Sequence, residues 1–210
     1  MNQFAKRILE SYISIRFDEY NESLKEAESY FKGQAKEVFP YSDKELSLME
    51  EEQRQDIVQW YAEDYLKYTD SLPTTLRNSF LIGLYSLYEY FLYDICKQAK
   101  LLKNLSIDIE LIKGEGINRS RDYLEKVCLI HISNTKEWND INHINKIRNC
   151  IVHNLGKLEN VDKHKQYLRK NNNLIELDSH NRVKIKEGYL ENVSNIFTKS
   201  LFDIIKKVFT

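Results

Sequence analysis

The sequence predicts an all-α helical bundle with one small β-hairpin inserted late in the chain. Three observations predict it. Only two prolines and six glycines interrupt 210 residues. That suits long helices and is too few turn residues for a sandwich of many short strands. Apolar residues recur at helical spacing over most of the chain. Near residue 174 that period gives way to the alternation of strands.

The elements follow in order. In FAKRILESYISIRFDEYNESLKEAESYF, Phe4, Ile8, Tyr12, Ile15 and Tyr20 fall at roughly helical spacing and predict a first amphipathic helix. Gly33 and Pro40 punctuate the chain after it. Ser42 with Glu45 three residues on is a capping-box pattern, which predicts a second helix from there to about Thr69. SLPTT then predicts a break, with Pro73 in the first turn of the next helix. That helix, through Leu102, is the most apolar of all. Leu81, Leu84, Tyr85, Tyr88, Phe91, Leu92 and Ile95 form a broad stripe, and apolar residues spill onto other faces, as in a central helix.

Residues 103–118 read as a loop ending in KGEGIN, followed by a helix near 119–131. Asn134 or Thr135 then caps a helix from about Lys136 to Asn154, with Ile141, Ile144, Ile147, Ile151 and Val152 as its apolar face. Gly156 stands where a left-handed C-terminal cap wants glycine. A short polar helix is expected near 159–170. NLIELDSHNRVKIKEG reads as a hairpin about a Ser-His-Asn turn, and Tyr189 to Val208 as a final amphipathic helix.

Residues 1–70 form an acidic helical pair and 71–210 the bundle proper, the two expected to make one compact unit. The charge divides along the same line. Residues 1–70 hold nine Lys/Arg against sixteen Asp/Glu, and 71–210 hold twenty-two against sixteen. Residues 143–170 carry seven basic and two acidic side chains. That local excess suits a polyanion, and a solvated helix face explains it as well. The cysteines, Cys96, Cys128 and Cys150, are odd in number and sit in apolar runs. Buried free thiols in a reducing compartment are expected. MNQFAKRILE has no apolar signal-peptide core, and no run of about 18 apolar residues exists. A cytoplasmic protein that does not span a membrane is expected.

Most familiar chemistry is absent. The sequence has no Gly-rich phosphate loop, no H-E-x-x-H, no C-x-x-C and no G-x-S-x-G. No two of the five histidines stand at i, i+3 or i+4. Asp140 and His143, three apart, have the spacing to share a metal, but an exposed helix pair is the simpler reading. No metal and no cofactor are expected.

One stretch stands out: KIRNCIVHNLGKLENV, residues 146–161. Arg148, Asn149, His153 and Asn154 gather polar groups at the end of an otherwise apolar helix, where each needs a partner. Asn149 and His153 are i, i+4 neighbours. Arg148 and His153 are about 140° apart around a regular helix, within reach of a long arginine side chain. The three can converge on one anion. A bland reading also accounts for them: Arg148 pairs with an acid such as Glu89 for packing, and His153 merely favours the helix C-terminus. Tyr85, Tyr88, Tyr90 and Tyr93 can stack bases, but at helical spacing they read first as core and interface.

IRNCIVHN resembles the R-N-x-x-x-H form of the HEPN signature (higher eukaryotes and prokaryotes nucleotide-binding). The bundle, with this motif late in the chain and a long apolar helix before it, is similar to that family from about residue 73 to 209. The resemblance implies a HEPN-type helical bundle acting as a metal-independent endoribonuclease in toxin or antiviral defence. It implies a homodimer with the site at the subunit interface, and an antitoxin or regulatory partner. Carried over, His153 is the general acid or base, Arg148 stabilises the phosphate and Asn149 positions it. Lys146, Asn154 and Lys157 flank the motif and are the candidate RNA contacts. The alternative is a HEPN-like module that binds RNA, nucleotides or protein without cutting.

Overall fold

The computed structural model describes residues 2–210. The chain is mostly helical: α1 (Asn2–Val38), α2 (Asp43–Ser47), α3 (Glu51–Leu66), α4 (Leu72–Leu102), α5 (Gly116–Lys126), α6 (Lys136–His153), α7 (Lys165–Lys170) and α8 (Tyr189–Val208). Strands β1 (Ile175–Leu177) and β2 (Val183–Ile185) form one antiparallel hairpin between α7 and α8. The late hairpin and the last helix lie where the change of period placed them.

α4 is the central helix and packs against α1, α5, α6 and α8. Its stripe is buried from Leu81 through Ala99. Tyr88 is fully buried, stacks on Phe197 of α8 at 4.5 Å and hydrogen-bonds the Ser200 hydroxyl at 3.2 Å. Ile13, Phe17 and Leu24 of α1 belong to the same core.

α1 differs from expectation in two ways. The stripe read from the sequence is largely exposed: Phe4, Ile8, Tyr12 and Ile15 face outward, and Ile13, Phe17, Leu24 and Ala35 face the core. At 100° per residue Phe4, Ile8, Tyr12 and Ile15 lie within about 80° of one another, and Ile13, Phe17, Leu24 and Ala35 form a second apolar face on the far side of the helix; packing against α4 and α8 selects the second. The helix also continues through Gly33, where a methyl group would meet nothing within 4 Å. A single exposed glycine costs only about 1 kcal/mol, and buried Glu28 and Ala35 on either side hold the helix.

The capping box at Ser42 is present, with the hydroxyl accepting from Glu45 N–H and the Glu45 carboxylate accepting from Ser42 N–H. The helix it starts, however, is only five residues long. SLPTT does not break the chain either. α3 runs through a π-helical turn, Lys67–Ser71, straight into α4. Pro73 offers no N–H, and the wider turn absorbs the gap, with Leu72 N–H bonding the Lys67 carbonyl.

α5 begins and ends earlier than the sequence suggested. After Lys126 the helix closes through Val127 and Leu129, the latter with φ +58, and Cys128, Ile130 and Ile132 are buried while Leu129 and His131 lie outside. Alternation of apolar residues at 128, 130 and 132 was the missed signal. All three cysteines are free and buried. Among the described residues no helix is long and apolar enough to cross a membrane.

Candidate functional site

α6 starts where Thr135 caps it, its hydroxyl accepting from Trp138 N–H at 3.1 Å. Ile141, Ile144, Ile147 and Cys150 anchor one face in the core. Val152 of the expected apolar face is exposed instead. The helix ends at His153, and the Cys150 carbonyl accepts from both Asn154 N–H and Gly156 N–H at 2.9 Å. Gly156 has φ +83, as its place in the sequence suggested, and Leu155 before it also has positive φ. This turn redirects the chain so that residues 158–164 fold back beside the motif.

The result is a cleft of about 300 Å³. It is lined by Lys146, Asn149, His153 and Asn154 from α6 and its end, and by Glu159, Lys163 and His164 from the returning segment. Asn149, His153, Asn154 and Lys146 therefore come together as the sequence indicated. Asn154 Nδ2 donates to Glu159 Oε1 at 3.3 Å. Lys157 is not part of the cleft; it is bridged to Arg182 beside the hairpin.

Arg148 reaches the cleft only through its neighbour. Its Nη1 donates to Asn149 Oδ1 at 2.9 Å. Its guanidinium lies over the Tyr85 ring, 5.3 Å from the centroid. Its Nε is buried without a hydrogen-bond partner. The expected Arg148–Glu89 pair is not among the ion pairs of the described residues. The Tyr85 face, one helical turn before Glu89 on α4, takes the guanidinium instead. Glu89 lies against Gly116, whose φ is +54; a β-carbon there would stand 2.6 Å from the Glu89 carboxylate.

The cleft's second imidazole has no signal in the sequence pattern. His164 Nδ1 lies 2.8 Å from His143 Nδ1. His143 in turn stacks on Tyr167, centroids 4.8 Å apart and planes 21° from parallel. Burial is the first cause that holds both histidines below the ordinary value of 6.5; nearby lysines add to it, and Asp140 opposes it at His143. A spacing search cannot find this pair, because 21 residues and a change of element separate its members. Asp140 does not share a site with His143; its carboxylate binds Lys170 at 2.8 Å. Among the described residues no group of three or more side chains is placed to hold a metal ion.

A larger cavity, about 650 Å³, lies between α1, α3 and α4, remote from the motif and lined by Glu28, Lys36, Phe39, Tyr65 and Arg77 among others. It carries no histidine or cysteine.

Comparison of the chain with models of known families, with curated proteins and with solved structures found no match. The functional reading therefore rests on the residues themselves. Chemically, the motif cleft offers two cations, three amides, one carboxylate and two imidazoles. Such a set can bind a phosphodiester and move protons at neutral pH.

Proposed function

We propose that the protein is a metal-independent endoribonuclease of the HEPN type. The observation that carries the reading is the cleft at the end of α6, where Asn149 and His153 face one space and Arg148 is tied to Asn149. RNA carries a 2′-hydroxyl beside its scissile phosphate. Removing that proton lets the oxygen attack phosphorus in line; the bond from phosphorus to the 5′-oxygen breaks, and a second group protonates the departing oxygen. Histidine moves protons near neutral pH. Arginine donors suit the charge that builds on the equatorial oxygens. The Arg148 Nε, buried with no partner, is a donor still to be satisfied. The products are a 2′,3′-cyclic phosphate and a 5′-hydroxyl, and DNA is inert.

The cytoplasm, a toxin or antiviral role and an antitoxin or regulatory partner belong to this proposal through the resemblance. So does a homodimer across the motif. Val152 and Leu155, 42% and 86% exposed, set apolar surface beside His153 that a second copy can cover.

One observation favours the second reading, a non-catalytic RNA-, nucleotide- or protein-binding module. Arg148 is stacked on Tyr85 rather than projecting into the cleft. The two readings part on His153→Ala in a cleavage assay. The nuclease loses cyclic-phosphate products and keeps its fold and RNA affinity; a binding module releases no such products with either chain.

A further inference from the structure

The endonuclease mechanism needs two proton-transfer groups, and the motif supplies one per chain. A shared interface can provide the second, but this cleft already holds another imidazole. His164 lines it, together with Lys163 from the returning segment. We propose that His164 is the second proton-transfer group of this cleft, removing the 2′-hydroxyl proton while His153 protonates the 5′-oxygen, and that His143 positions it. This rests on the nuclease reading and deepens it: one subunit carries both the base and the acid.

The His143 contact leaves one nitrogen of His164 for substrate, and the proposed role sets its tautomer. His164 Nδ1 is committed to His143 Nδ1 at 2.8 Å, so Nε2 is the nitrogen left for substrate. Two imidazole nitrogens at that distance need one hydrogen between them. With Nδ1–H on His164 and the lone pair on His143, His164 Nε2 is unprotonated and able to act as a base. The proton it takes from the 2′-hydroxyl makes it an imidazolium. The Nδ1–H bond to His143 then becomes charge-assisted and strengthens as the reaction proceeds. The new bond joins the 2′-oxygen to phosphorus, the bond to the 5′-oxygen breaks, and the His153 proton passes to that oxygen. Solvent exchange returns both imidazoles to their starting states.

The surroundings keep His164 neutral at rest. It is 9% exposed. Lys146 and Lys163 face it from the cleft, and His143 from α6. Asp140 beside His143 carries a negative charge already paired with Lys170. The Tyr167 face supports the His143 ring, and the Tyr167 hydroxyl is itself held by the Tyr189 hydroxyl at 3.0 Å. His143 therefore cannot turn freely, and neither can the ring it holds.

The test uses the full chain and a single-stranded RNA in EDTA, with kcat/KM measured against pH for wild type, His164→Gln, His143→Gln and His153→Gln. Each variant is first checked for native circular dichroism and an unchanged melting profile. His164→Gln should lose about 10²- to 10⁴-fold in rate, the usual worth of a general base. Its residual activity should lack the acidic limb, which in wild type lies below the ordinary histidine value of 6.5. His143→Gln should keep more activity and move that limb, a change that loss of packing alone would not produce. In a parallel measurement, a 2′-deoxy oligonucleotide of the same sequence should shift the ring resonances of both His153 and His164. If His164→Gln keeps the wild-type rate and profile while His153→Gln is dead, this inference falls and the nuclease reading stands. If wild type cleaves nothing, both fall. If His164→Gln unfolds, the oligonucleotide decides: no movement of the wild-type His164 resonance overturns the proposal.

Discussion

Glu28 is where one substitution should register most clearly. Its carboxylate accepts from Arg77 Nε at 2.6 Å, and Arg77 Nη1 also donates to the Ile185 carbonyl at 3.4 Å. One pair thus ties α1 to α4 and to β2. Both side chains are nearly buried, 10% exposed for Glu28 and 14% for Arg77. Removing one partner of a buried pair costs about 3–5 kcal/mol, because the other charge is stranded. Two features reduce that here. Glutamine keeps one acceptor for the guanidinium, and both residues border the 650 Å³ cavity, so water can reach Arg77. A charged hydrogen bond is worth about 1.5–3 kcal/mol net. Glu28→Gln should therefore cost about 2 kcal/mol and Glu28→Ala about 3 kcal/mol. For a domain of this size, 2 kcal/mol lowers Tm by about 4–8 °C. Urea unfolding followed by circular dichroism reads the difference directly. The loss should be nearly independent of salt, since screening acts mainly on exposed charges. A Glu28→Gln change under about 0.5 kcal/mol, or one that salt abolishes, would refute the claim that this pair is a desolvated tie.

Other outcomes follow from the same geometry. Tyr88→Ala removes a fully buried ring stacked on Phe197 and should cost about 3–5 kcal/mol in urea unfolding. Tyr88→Phe should cost only about 1 kcal/mol, for the Ser200 bond. Thr135→Ala removes the α6 cap and should lower stability by about 1 kcal/mol, read the same way. Folding holds His143 and His164 below their unfolded value of 6.5, so the unfolded chain binds more protons in that window. Stability due to this pair is then full above pH 6.5 and is lost as pH falls through the lowered values. Melting curves from pH 7.5 to pH 5 should show the decline, and it should flatten in a His143→Phe, His164→Leu double variant.

The fold was legible in the sequence where the local signals agreed. α8 and the hairpin were legible because period, turn residues and flanking glycine agree over residues 173–208. The start of α6 was legible to within one residue, since Asn134 and Thr135 both suit a cap and the structure uses Thr135. α1 was misread because several apolar residues compete for its face, and only packing against α4 and α8 decides between Ile13 and Ile15. The join of α3 to α4 was misread because proline usually marks a boundary, and a π-helical turn lets the chain run on past it. At the site, Asn149, His153, Asn154 and Lys146 were legible as neighbours on one helix. Lys163 and His164 were not, because only the turn at Leu155 and Gly156 brings that segment back. Nor was the place of Arg148, which the Tyr85 ring sets from another helix.

The central claim is tested most directly by incubating the purified protein with total RNA in EDTA, beside Arg148→Ala and His153→Ala chains of confirmed fold. The account predicts cleavage by the wild type alone, leaving 2′,3′-cyclic phosphate and 5′-hydroxyl ends. Fragments that persist undiminished in both variants, or no fragments from any of a varied set of RNAs, would contradict it.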